Sequence, residues 1–327
     1  MKRRRTLLVS PVLLAACGSA QTTAAPPTPT AKPTVAARPA PTDDPIGFAS
    51  VAPGTTGGRG GQVVAATTAD DLRRYLISRD PLVIQVSGAL ALSGMTPVGS
   101  NKTILGIGAD AKISNGGFNL SAVNNVVIRN LTFLTSPDDA INLENGSHHV
   151  WIDHNTIGQA TDGGLDIKRE SSYVTVSWNV FAQQSKTSLV GHDDNFQADR
   201  GKLKVTYHHN WFKGDQRQPR VRFGEVHVFN NYYDGVRSYG VASTQDAKVV
   251  VEGNVFKNVR QPALVGYEES GPGDLVERNN LYESSGTPQT RGEAFDPTAY
   301  YAFSLTPLSE VSGLVQAAAG AGKLRNA

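Results

Sequence analysis

The chain has 327 residues, with 33 Gly, 18 Pro, two Met, a single Cys and a formal charge of +2. Four of its 31 basic residues, Lys2, Arg3, Arg4 and Arg5, open the chain, and the remaining 27 stand against 29 acidic residues. That balance argues against a nucleic-acid partner, and a lone Cys17 excludes disulfide and thiol chemistry from everything that follows it.

Residues 1–17 join this basic start to an apolar run from Leu7 to Ala16, which is too short to span a bilayer as a helix. Leu14-Ala15-Ala16-Cys17 resembles the lipobox of bacterial lipoproteins, with Cys17 as the lipidated residue; an ordinary signal peptide is the alternative. The expected location is extracellular, either secreted or lipid-anchored to the outer face of a bacterial membrane. Residues 18–46 are rich in Ala, Pro and Thr, cannot bury a core, and read as a disordered linker. The folded domain is placed at 47–327 and expected to be a monomer. Thr68 is a plausible N-cap for a short helix through Leu76, with Asp71 at the acidic position of a capping box. Pro81–Leu92 reads as one strand, and Ser100–Gly106 begins another turn. The tail from Ala299 carries Leu305, Pro307, Leu308, Val311 and Leu314, enough apolar surface to lie back along the domain.

Between these ends one phrase recurs: apolar, any, apolar, two of any kind, Asn, any, apolar. It stands at Val150–Ile157, Val174–Phe181, Val205–Phe212, Val226–Tyr233 and Val249–Phe256. Looser copies lie at Val126–Phe133, with Asn130 one place early, and at Val276–Tyr282, with Asn279. The second apolar positions (Ile128, Ile152, Val176, Tyr207, Val228, Val251, Val276) are separated by 24, 24, 31, 21, 23 and 25 residues. One short β-branched strand per unit of this length means a solenoid of stacked turns. Alternation turns Val150 and Ile152 inward and Trp151 and Asp153 outward. The recurring Asn follows each strand at a bend, where left-handed geometry suits it, and Asn155, Asn179, Asn210, Asn231 and Asn254 are expected to stack. The fold class is all-β, a single-domain parallel β-helix whose open end the Thr68 helix caps. A β-sandwich would not repeat an Asn at a fixed place.

The chemistry lies between two copies of the phrase. In Asp162-Gly163-Gly164-Leu165-Asp166-Ile167-Lys168, Leu165 and Ile167 fit the inward face, so Asp162, Gly164, Asp166 and Lys168 face out. Two carboxylates on one outer face are hard oxygen ligands of the kind calcium prefers; a solvated acidic face would read the same way. Lys186, and Arg217, Arg220 and Arg222 in QRQPRVRFG, lie on later turns, where Val221 and Phe223 would set the strand and leave Arg220 and Arg222 outward.

Four stretches, SNKTILGIG at 100–108, VWIDHNTI at 150–157, DGGLDIKRESSYVTVSWN at 162–179 and QRQPRVRFGEVHVFNNYY at 216–233, together with the ending AGAGKL at 319–324, resemble polysaccharide lyase family 1, the pectate lyases. The resemblance implies a right-handed β-helix, a Ca2+ cofactor, and cleavage of α-1,4-linked polygalacturonate by β-elimination to 4,5-unsaturated products. It adds Asp139 to Asp162 and Asp166 as metal ligands, with Asp138 a neighbour. It makes Arg217 the base and Lys168, Lys186 and Arg222 the groups that bind substrate carboxylates. An arginine base works against its ordinary pKa above about 12, so an alkaline optimum is expected. Near Thr244, where some members carry another arginine, this chain has none, and Arg237 is the nearby substitute. His192-Asp193-Asp194 reads as a polar loop, and the histidine pairs show no metal spacing. Three rivals remain: a pectin lyase on methylated pectin, which needs no calcium; a hydrolase using paired carboxylates as acid and base, which gives reducing ends without an unsaturated product; and a non-catalytic pectin-binding β-helix.

Overall fold

The repeated phrase folds as stacked rungs. In a computed structural model, which describes residues 44–182 and 184–324, ten parallel strands run from Gln62–Ala66 to Asp274–Arg278, one per turn of a right-handed solenoid. Two further rows join through the long strand Lys112–Ser121. One runs through Ile141–Glu144, Leu165–Ile167, Ser188–Val190, Arg220–Arg222, Val241–Thr244 and Ala263–Val265; the other runs from Thr132–Ser136 to Leu281–Glu283. Cys17, the leader and the linker through residue 43 lie outside the described residues, as do the expectations placed on them.

Register follows the apolar pattern. Val126, Val150, Val174, Val205, Val226 and Val249 pair laterally and are fully buried. The last rung corrects the reading: Val251 pairs with Glu277, and Leu275, not Val276, is the fully buried residue. Beside these valines a file of rings, Phe181, Phe212, Tyr233, Phe256 and Tyr282, stacks at centroid distances of 4.9, 4.9, 4.4 and 5.2 Å. The expected strand Pro81–Leu92 is two strands, Leu82–Val86 and Ala89–Pro97, because Gly88 at φ 74 lets the chain turn a corner there.

The asparagines form a continuous ladder. Each side-chain NH2 donates to the next carboxamide oxygen, from Asn155 through Asn179, Asn210, Asn231 and Asn254, at 2.9–3.0 Å. The last partner is Asn280, not Asn279. The left-handed residue is the one before each ladder Asn: His154, Trp178, His209, Asn230 and Asn279 have φ between 47 and 54, and Gly253 has φ 64. Asn130, at φ 59, belongs to that set too, so Leu131 occupies the ladder position and donates its N–H to Asn155 Oδ1. Asn210→Ala removes the acceptor of the Asn179 N–H in a fully buried layer. Each buried group left unsatisfied costs about 1–3 kcal/mol, so a loss of about 3 kcal/mol is expected by urea unfolding. A loss under about 0.5 kcal/mol would show that the ladder is incidental.

Outward positions are not all wet. Trp151 and Asp153 lie outside the core, yet both are buried. Trp151 packs with Ala49 and Val127, and the N-terminal segment is pinned over this face by Phe48 and Ala49, whose N–H groups donate to Thr206 and Thr175. Asp153 accepts from Arg129, Ser177 and His154, a structural role for His154. The helix Ala69–Leu76 forms as expected: Thr68 accepts from the Asp71 N–H, and Leu72 and Leu76 close the first turn of the core. At the other end the helix Leu308–Ala318 lies back along the solenoid through Leu308 and Val311, as expected; Val315 takes the place expected of Leu314, and Leu305 lies over Gly253. The tail then runs on until Gly322 donates to Asn130.

Candidate active site

The bends that enter the row containing Leu165–Ile167 stack on successive turns. Ala140 N–H donates to Gly163, Leu165 N–H to Thr187, Thr187 N–H to Gln216 and Ser188 N–H to Arg217. Asp139, Asp162, Lys186 and Arg217 therefore lie at these bends on four successive turns, each within a residue of the paired positions. On the strands beside these bends Asp166 sits between Asn142 and Leu189, with Arg220 the next residue on the same rung.

The acidic end is crowded. Ligand oxygens of Asp138, Asp139 and Asp162 lie within 4.8 Å of one another. Calcium takes oxygens at about 2.3–2.6 Å, so atoms up to roughly 5 Å apart can share one ion. Asp139 Oδ1 is buried without a hydrogen-bond partner among the described residues. A Cβ on Gly163 would come within 3.0 Å of both Asp139 Oδ1 and Asp166 Oδ1, so glycine keeps the space between these carboxylates open. Burial, then the Asp166 charge, raises Asp139 to about 8, and burial raises Asp166 as well. Lys168 lies 3.5 Å from Asp139 and 3.4 Å from Asp166; burial would lower its pKa, but the two carboxylates outweigh that and raise it. These residues fit a divalent cation: hard donors, one of them orphaned, held too close for like charges to rest easily.

The basic end follows. Lys186 Nζ donates to Asp162 at 2.8 Å, which holds that carboxyl below its ordinary value. Arg217 sits at φ 60, and its buried Nε has no hydrogen-bond partner among the described residues. Its charge acts on Asp162 and Asp166 on one side and on Arg220 on the other. Arg222 Nε donates to Asp194 at 2.6 Å. The seven residues expected at the site lie on successive turns beside one another, and Asp138, expected as a neighbour, stands with Asp139 and Asp162.

The pectate lyase family model matches residues 20–324. The chain belongs to the pectate lyase family. It is 41% identical to a pectate trisaccharide-lyase of Thermotoga sp., over 86% of this chain and 90% of that protein. A pectate trisaccharide-lyase of Bacillus licheniformis is 35% identical, over 85% of this chain and 86% of that protein. The crystal structure of a Bacillus sp. pectate lyase in complex with trigalacturonate superposes with a TM-score of 0.79 at 29% identity, over 86% of this chain and all of that one.

Within this pectate lyase family member three local readings change. Phe223 does not set the Arg220–Arg222 strand; at φ 61 it leaves it, and the Arg200 guanidinium lies 4.7 Å over its ring. Arg237 is committed to Asp215 through two bonds of 2.7 Å. Asp194, read as part of a polar loop, reaches the arginines. Burial pushes its carboxyl up, but hydrogen bonds from Ser270 and Arg222 outweigh that and hold it below its ordinary value.

Proposed function

We propose that this chain cleaves polygalacturonate by calcium-dependent β-elimination, releasing 4,5-unsaturated oligogalacturonides. The observation that carries the reading is the ladder on which Asp139, Asp162, Lys186 and Arg217 succeed one another. Asp139 and Asp162, with Asp166 or Asp138, would hold the ion. Bound there, calcium neutralises a uronate carboxylate and so acidifies the proton on the adjacent C5.

The chain's own groups do the rest. Lys168, Lys186 and Arg222 bind uronate carboxylates, Arg222 through the planar fork that suits them. Arg217, as the neutral guanidine, takes the C5 proton and becomes a guanidinium; the electron pair forms the C4–C5 double bond, the C4–oxygen bond breaks, and the departing oxygen takes a proton from water. The names of the relatives at 35–41% identity support a finer proposal, release of a trisaccharide. A pectin lyase, acting on neutral esters, would have no use for the carboxylate cluster. Digests of polygalacturonate and of highly methylated pectin, sized by chromatography, test the reading. Unsaturated trimer from polygalacturonate is expected. Faster cleavage of methylated pectin would reject it.

We further propose that Cys17 anchors the chain by lipid, with 18–46 as spacer. Mass spectrometry of the mature N-terminus should find lipidated Cys17; an unmodified terminus at another residue ends the idea.

A further inference from the structure

The step of 31 residues between Val176 and Tyr207 marks an insertion, residues 191–203, between strands Ser188–Val190 and Lys204–His208. The insertion is built on a buried carboxylate. Asp199 is fully buried and accepts from the Glu170 N–H at 2.6 Å and the His192 N–H at 2.9 Å. At its start Gly191, φ 94, lies so close to Arg222 that a Cβ there would come within 2.7 Å of the Arg222 Cβ.

So held, the insertion delivers Asp194 to the arginine strand. Asp194 Oδ1 accepts from Arg222 Nε at 2.6 Å. Ser270 Oγ donates to the same carboxylate, 2.8 Å from Oδ1 and 2.7 Å from Oδ2, and accepts from Arg220 Nη2. Ser270 comes from a tight turn closed by paired backbone bonds between Tyr267 and Ser270, and the Tyr267 ring stacks 5.1 Å from the Arg220 guanidinium. One carboxylate thus ties two neighbouring guanidiniums, Arg222 directly and Arg220 through a hydroxyl. The grip on Arg222 is at Nε. Its Nη1 makes a longer contact, 3.4 Å, to the Gly191 carbonyl.

We propose that Asp194 is a positioning residue for carboxylate recognition: with Ser270 it locks Arg222 and Arg220 in the orientation that receives a uronate carboxylate of the substrate. The inference rests on the pectate lyase reading above. An acid beside a groove for a polyanion would by charge alone weaken binding, and the two roles predict opposite results. If Asp194 acted as a bare charge, its removal would tighten binding. As a positioning residue, its removal frees a long side chain whose ordering must then be paid at each binding event.

Asp194→Ala is expected to raise KM on polygalacturonate about tenfold while kcat stays within about threefold. Asp194→Asn, whose amide oxygen still accepts from Arg222 Nε, should restore most of that loss. In an Arg222→Ala background Asp194→Ala should change KM by less than about twofold, because a residue acting through another has no effect without it. Ser270→Ala, which leaves the insertion intact, should raise KM by about threefold and carries the test if Asp194→Ala does not fold. An unchanged or lower KM for Asp194→Ala, or for Ser270→Ala where it stands in, overturns the inference. So does a full effect in the Arg222→Ala background. Wild type that yields no unsaturated product sinks the pectate lyase reading itself, whereas an active wild type with indifferent variants sinks only the role of Asp194.

Discussion

Arg217→Lys should lose about a thousandfold or more of turnover, the scale of a removed general base, with substrate affinity changed by less than about threefold. The substitution keeps the positive charge but loses the planar fork and the reach of the guanidine nitrogens. Arg217 is placed for that reach by its backbone. It stands at φ 60, a left-handed conformation that costs a non-glycine residue about 1–2 kcal/mol, and its carbonyl is fixed by the Ser188 N–H at 2.7 Å. Among the described residues its buried Nε has no hydrogen-bond partner. Steady-state kinetics with a direct binding titration of trigalacturonate separates the two effects. Turnover within about tenfold of wild type would assign proton removal to another residue.

Removing a calcium ligand should be nearly as costly. Asp166→Asn keeps the shape and deletes one charge, so the calcium concentration for half-maximal activity should rise at least about tenfold, with activity partly recovered at high calcium. Asp138→Asn is the necessary companion, because Asp138, rather than Asp166, lies within 4.8 Å of both Asp139 and Asp162. A larger shift for Asp138→Asn would place Asp166 with Lys168 instead of with the ion. Chelation should also register in stability. In the ion-free chain burial and Asp166 raise Asp139 to about 8, so the folded state keeps a proton that the unfolded chain releases near its ordinary value. Stability contributed by that proton is complete at low pH and declines as pH rises from about 4 through about 8. Calcium favours the ionised carboxylate and should reverse the decline. Thermal unfolding between pH 6 and 9, with calcium and with chelator, reads this directly; parallel curves would reject Asp139 as a ligand.

What could be read in advance divides along a physical line. Strand alternation and the recurring Asn are local patterns repeated on every turn, and they placed the core valines and the ladder from Asn155 to Asn254. The slips at Val276 and Asn279 are one-residue register errors in the least regular copy, where Leu275 and Asn280 take the structural places. Alternation also placed Trp151 outside the core, but could not show that Ala49, about a hundred residues earlier, covers it. Most of the candidate site could be assembled in advance because Asp162, Asp166 and Lys168 share one short stretch and the family resemblance supplied the rest. Asp194 was not. Its partners Arg222 and Ser270 lie 28 and 76 residues away, in segments that share no period with it, and a loop-to-loop contact leaves no trace in either periodicity or composition.

The most direct test of the central claim is the ultraviolet absorbance of polygalacturonate incubated with the chain in calcium, then in a chelator. The account predicts a rising absorbance from unsaturated ends that stops on chelation and resumes when calcium is restored. An undiminished rate in chelator, or new reducing ends with no absorbance, would contradict it.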